Sequence, residues 1–162
     1  VPVFGILERG GKLIAKVVSN TQAKTIVPII KEKVELGSVV YTDGWDYSGL
    51  HGKYVQRSVD HEKHFYGTTY ATDEGEIITV STNGIENAWS HFDRMMLGTY
   101  IRVSKKHLQK YVDEFVFRYN LRDIATSDIF NCFLCCSDAR ITHKEIKETK
   151  WVELTENKQS LY

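Results

Sequence analysis

Two β-rich runs, residues 3–7 and 13–18, are separated only by Glu8-Arg9-Gly10-Gly11-Lys12. A glycine pair between such runs favours a tight reversal, so the chain is expected to open with an antiparallel hairpin. A hairpin needs something to cover its apolar face, and the next segment offers a cover. Over residues 21–36, Ile26, Ile29, Ile30 and Val34 recur at helical spacing, Pro28 bends the first half, and Gly37 is the stop signal. Residues 38–42 then form a short apolar run that ends at Asp43-Gly44. The order hairpin, helix, strand predicts an α/β domain in which a buried strand delivers an aspartate at its C-terminal end.

Further elements follow in the same manner. A short helical turn is expected at 47–50 and a strand at 54–59, then a polar stretch with His61 and His64. Residues 77–80 form a short strand, and the acidic cluster at 73–76 reads as a solvated turn. Ile85, Trp89, Phe92 and Met96, at offsets of 0, 4, 7 and 11, mark one apolar helical face, which turns Glu86 and Asp93 to a polar side. A helix over 105–120 buries Leu108, Tyr111, Val112, Phe115 and Tyr119, and residues 124–137 form an apolar helix. Cys132, Cys135 and Cys136 fall in that helix. A zinc site with His143 lacks a second ligand pair, so a buried helix with reduced thiols is preferred.

Lysine plus arginine and aspartate plus glutamate both total 21, so contact with nucleic acid must come from local basic patches rather than an overall field. No apolar run reaches the roughly 20 residues that cross a bilayer, and the N-terminus lacks the regions of a signal peptide. The expected setting is intracellular, nuclear in a eukaryote and cytoplasmic otherwise, with no membrane partner.

Chemistry enters through carboxylates. A strand ending in Asp43 and a later helix presenting Glu86 suit two-metal phosphoryl transfer, in which hard oxygen ligands from separate rigid elements converge on ions about 4 Å apart. Spacing alone leaves a capping or surface role open for each.

Several stretches in order add a resemblance. Val3-Phe4-Gly5-Ile6 with Glu8-Arg9-Gly10-Gly11, then Val40-Tyr41-Thr42-Asp43-Gly44-Trp45, then Val59-Asp60-His61, then Thr82-Asn83-Gly84-Ile85-Glu86-Asn87-Ala88-Trp89-Ser90 occur in turn. Gly98-Thr99-Tyr100, the run from His107 to Phe115, Phe117-Arg118-Tyr119-Asn120 and Arg140-Ile141-Thr142-His143-Lys144-Glu145 continue the series. Together they resemble the ISXO2-like (IS1595-type, Merlin-related) DDE transposase domain over about residues 2–147, with 148–162 as a tail.

The resemblance implies an RNase H-like mixed sheet flanked by helices and metal-dependent DNA cleavage and strand transfer. It implies Mg2+ or Mn2+ as cofactor, DNA as partner (transposon ends and target), and compatibility with a homo-oligomer. Asp43 matches the second acidic position and Glu86 the third. The first aspartate belongs to a strand preceding the opening motif, so this chain, which begins at Val1, is expected to lack the central strand and to be inactive by itself. Asn83 is expected to support Glu86 or to cap its helix. Arg94, Arg102, Lys105, Lys106, Lys110, Arg118 and Arg122 are candidate phosphate contacts. Two positions depart from the family pattern: Ser81 replaces a histidine and Asp93 a lysine. The alternative is a decayed or domesticated transposon-derived protein that retains only nucleic-acid or protein binding. An RNase H-like nuclease unrelated to transposition explains the carboxylates but not the other motifs.

Overall fold

The computed structural model describes residues 1–44, 47–59, 68–71, 77–135, 142, 144 and 145. The expectations for His61, His64, the 73–76 turn, Cys136, His143 and the tail lie outside them. The chain opens with strands β1 (Val3–Leu7) and β2 (Leu13–Val17), paired antiparallel with Val3 opposite Val17 and Leu7 opposite Leu13. Gly10, at φ 69°, takes the left-handed backbone that this reversal requires.

Helix α1 (Ala23–Lys33) carries the chain to β3 (Val39–Asp43), which pairs in parallel with β4 (Val55–Val59). The helix stops three residues short of the expected end. Val34 takes an extended backbone, and its carbonyl accepts a hydrogen bond from the Tyr54 hydroxyl at 3.2 Å. A single 3-10 turn, Ser48–Leu50, lies in the β3–β4 crossover, with Leu50 fully buried. A second hairpin, β5 (Thr68–Ala71) with β6 (Ile77–Val80), precedes α2 (Asn83–Met95). Helices α3 (Leu108–Asn120) and α4 (Thr126–Cys135) follow. The first residues of the expected 105–120 helix, Lys105–His107, form a 3-10 turn instead.

β1 separates two cores because alternate side chains of a strand point to opposite faces. Val3 and Leu7 pack with Leu13, Ala15 and Val17 of β2 against Ala88 and Phe92 of α2 and Val112 and Phe115 of α3. Phe4 and Ile6 pack instead with Ile26, Val27 and Ile30 of α1, Leu50 and Tyr54. The α/β expectation holds, with helices on both faces of the hairpin. In the first core, Phe92 meets Phe115 edge-on at 5.2 Å and Trp89 at 6.1 Å, a favoured arrangement for aromatic rings.

Burial of α4 was expected from its composition, and the structure corrects this. Phe130 and Leu134 are exposed, as are Cys132 and Cys135, because none of these side chains reaches either of the two cores.

The two long edges of the hairpin are treated differently. Val18 N–H donates to the Pro2 carbonyl and Glu8 N–H to that of Lys12, both at 3.0 Å, so even-numbered backbone groups bond across the hairpin. In an antiparallel pair the intervening groups point outward. On the β2 side they meet α3: Asn120 Oδ1 accepts from Leu13 N–H at 2.7 Å while Asn120 Nδ2 donates to the Leu13 carbonyl at 2.9 Å. Gln109 repeats the contact one step along, accepting from Val17 N–H at 2.7 Å and donating to the Ala15 carbonyl at 3.4 Å. On the β1 side, the outward groups of Val3, Gly5 and Leu7 meet no strand among the described residues, since β1 and β3 belong to separate two-stranded sheets.

Candidate functional site

Asp43 is the last residue of β3, is exposed, and is followed by Gly44 at φ 63°, which lets the chain turn away. Its neighbour Thr42 is buried and accepts a hydrogen bond from Gln56 Nε2 at 3.4 Å, while Gln56 Oε1 accepts the Tyr47 backbone N–H at 3.3 Å. These contacts tie the end of β3 to both β4 and the crossover. Burial raises the Tyr47 phenol above the ordinary tyrosine range. Arg9, just beyond β1, stacks over the Tyr41 ring at 5.2 Å and so links the hairpin to β3.

Glu86 sits in the exposed first turn of α2, where the helix N-terminus favours negative charge. Its Oε1 accepts a hydrogen bond from the buried Thr82 hydroxyl at 3.0 Å, and its N–H donates to the Thr82 carbonyl at 3.1 Å. Thr82 thus holds the carboxylate, a role that sequence reasoning missed. The signal was the four-residue spacing from Thr82 to Glu86 at a helix start. The cap position expected for Asn83 belongs to Thr82; Asn83 is the first helical residue, exposed, with its N–H donating to Ser81 Oγ at 3.1 Å.

The start of α2 is positioned by β1. A Cβ on Gly5 would come within 2.4 Å of Trp89 Cζ2, and one on Gly84 within 3.2 Å of Leu7 Cδ2. Glycine at position 5 therefore permits the close approach of helix and strand. Phe92 is buried, Trp89 half-buried and Glu86 and Asp93 exposed, as the helical period predicts.

Arg94, Arg102, Lys105 and Lys106 are exposed and Lys110 is half-buried. Arg118 is held by Glu114 at 2.9 Å, and Arg122 lies 4.6 Å from the centre of the Tyr119 ring and 3.7 Å from Asp123. Both therefore give up a described contact if they turn to an external phosphate.

Asp43 and Glu86 offer the hard oxygen donors that magnesium or manganese prefers. Among the described residues, no three His, Cys, Asp or Glu side chains come together as a metal-binding group. A complete ligand set is thus not assembled from the described residues alone.

The sequence of the ISXO2-like transposase domain matches residues 1–120, from the opening hairpin to the last residue of α3. The chain belongs to the ISXO2-like transposase domain family. A relative described as an uncharacterized transposase-like protein of Haemophilus influenzae is 34% identical over 115 residues, covering 70% of this chain and 85% of that protein. No solved structure matches the chain. No helix among the described residues of this transposase-family chain is long and apolar enough to cross a membrane.

Proposed function

We propose that this chain is the core of a transposase that cuts DNA and joins strands, with Asp43 and Glu86 as two of three metal-binding carboxylates. In this reading the sheet is RNase H-like, residues 1–147 form the core and 148–162 a tail. A further strand, paired with β1 and β3, supplies the third carboxylate. The observation that carries the proposal is the end of β3: a strand parallel to its neighbour finishes in an exposed aspartate, while the outer edge of β1 has no strand partner among the described residues. Ligands of open α/β sheets bind outside the carboxyl ends of parallel strands, where Asp43 lies.

Thr82 orients Glu86, and the Gln56 contacts hold the end of β3, so that both carboxylates are presented from rigid elements. Bound Mg2+ or Mn2+ supplies charge stabilisation and an activated water or 3′-hydroxyl. Arg94, Arg102, Lys105, Lys106, Lys110 and Arg118 contact phosphates, with Arg118 doing so at the expense of its Glu114 pair.

One observation favours the second reading, a transposon-derived protein that binds DNA without cutting it. Asp93 follows Glu86 by seven residues, close to two helical turns, and is exposed on the same side of α2, where it repels an approaching phosphate.

Cleavage of a labelled duplex in Mg2+ or Mn2+ separates the two. The 162-residue chain is expected to leave the duplex intact. The chain extended before β1 by an aspartate-bearing strand is expected to cut it, and Asp43→Ala or Glu86→Ala should then lower the rate roughly a thousandfold or more. Cutting that persists in the Asp43→Ala variant overturns the carboxylate assignment; binding without cutting by the extended chain supports the second reading.

A further inference from the structure

The end of α2 is built unlike any other helix end in the described chain. It continues as one π-helical turn, Met96–Tyr100, closed by Ile101 N–H donating to the Met96 carbonyl at 2.8 Å. Ile101 then adopts φ 58° and ψ −50°, and it is the one non-glycine residue with positive φ among those described. The following Arg102 N–H donates back to the Tyr100 carbonyl, which makes Ile101 the centre of a γ-turn in its strained, positive-φ form. A β-branched residue is a poor choice for that conformation, and such strain persists where surrounding structure enforces it, often at functional sites.

The strain does not serve burial. Ile101 is 84% exposed and Leu97 is 74% exposed, the two most exposed large apolar residues among those described. Beneath them the turn is anchored. Tyr100 packs edge-on against Tyr111 at 4.6 Å, and its hydroxyl donates to Glu114, whose other oxygen accepts from Arg118 Nε at 3.0 Å. Glu114 also raises the Tyr100 phenol above the ordinary tyrosine range, keeping it a neutral donor.

Charge completes the pattern. Between Asp93 and Asp113 the chain carries Arg94, Arg102, Lys105, Lys106 and Lys110 and no acidic residue, although the whole chain is neutral. A rigid apolar tip within a cationic segment matches a partner with anionic rails and an apolar stacked interior. We propose that Leu97 and Ile101 form a wedge that enters the minor groove of duplex DNA and unstacks a base step, with Arg102 and Lys105 on the flanking phosphates. Apolar wedges of this kind kink DNA at flexible steps. The wedge rests on the DNA-binding reading above and adds to it a mode of engagement and the residues responsible.

The test uses the 162-residue chain and short duplexes containing a TA step flanked by 2-aminopurine. Anisotropy across a salt series reports binding, and 2-aminopurine fluorescence reports unstacking. Wild type is expected to bind with a steep salt dependence and to raise the fluorescence. The Leu97→Ala, Ile101→Gly double variant should keep the salt slope, lose the fluorescence rise and bind roughly tenfold more weakly or worse. Glycine tolerates the backbone at position 101, and an unchanged near-ultraviolet circular dichroism spectrum confirms folding. Lys105→Gln with Lys106→Gln should instead lower the slope by about 2 while bound complexes still unstack the step. Wild-type binding without a fluorescence rise, or a double variant identical to wild type, overturns the wedge and leaves the DNA reading standing. No binding by wild type overturns both. Tighter binding to phosphatidylserine vesicles than to DNA, or a dimer in sedimentation that the double variant abolishes, overturns the wedge in favour of a membrane or a second copy.

Discussion

The β1–β2 hairpin has one closed edge and one open edge, and the difference shows how a sheet can be finished without adding a strand. Along β2, two side-chain amides of α3 stand where a neighbouring backbone would, each offering an acceptor and a donor at close to strand spacing. An amide carries both functions, which hydroxyl-free apolar side chains lack, so the helix satisfies the edge while its apolar face fills the core. Along β1 no such substitute is present among the described residues, although the strand itself is half-buried. An edge of unpaired donors and acceptors is a template for pairing. The closed edge has the Leu13 pair, the Ala15 carbonyl and the Val17 N–H satisfied from α3, whereas the open one has its hydrogen-bonding capacity in reserve for the strand proposed above.

The largest test of this contrast is Phe115→Ala. Phe115 is buried between Phe92 and β2, so truncation should cost about 3–5 kcal/mol and loosen the helix that carries both amides. Urea denaturation measures the loss, and hydrogen exchange should show reduced protection of the Leu13 and Val17 amides. Protection that survives a destabilised α3 would mean that the amides do not close the edge.

Asn120→Ala should cost about 1–3 kcal/mol, because both the N–H and the carbonyl of Leu13 lose their partner at a part-buried position. Its exchange signature is specific: the Leu13 amide should lose protection and fall to the level expected for Val3, Gly5 and Leu7 on the open edge. Equal protection of the two edges in wild type would erase the comparison altogether. A smaller effect, about 1 kcal/mol, is expected for Gln109→Ala, whose contact with the Ala15 carbonyl is long at 3.4 Å. Here Val17 rather than Leu13 should lose protection, and a reversed order would show that the two amides are not independent clamps.

Much of the fold was legible because it is locally encoded. The glycine pair after Arg9 announced the hairpin, Asp43-Gly44 the end of β3, and the spacing of Ile85, Trp89 and Phe92 the buried face of α2. What escaped depends on distant partners. Val34 and Leu36 continue the helical pattern of α1, yet the Tyr54 hydroxyl takes the Val34 carbonyl and the helix ends. Phe130 and Leu134 read as core because composition does not reveal whether another element covers them. The site was half legible: Asp43 and Glu86 stood out by type and order, while the threonine that holds Glu86 was passed over as motif. Nothing local in the run around Gln109 or in Arg118-Tyr119-Asn120 indicates that their amides serve a strand edge.

The Asn120 contact also sets a clock. Leu13 and Asn120 are 107 residues apart, so a ribosome working at about 5–20 residues per second needs roughly 5–20 s to produce the second after the first. Until α3 emerges, both edges of the nascent hairpin are open to other chains. The period of greatest exposure to misassembly is therefore fixed by the position of Asn120 in the coding sequence, and slower translation between the two residues lengthens it without altering the finished protein.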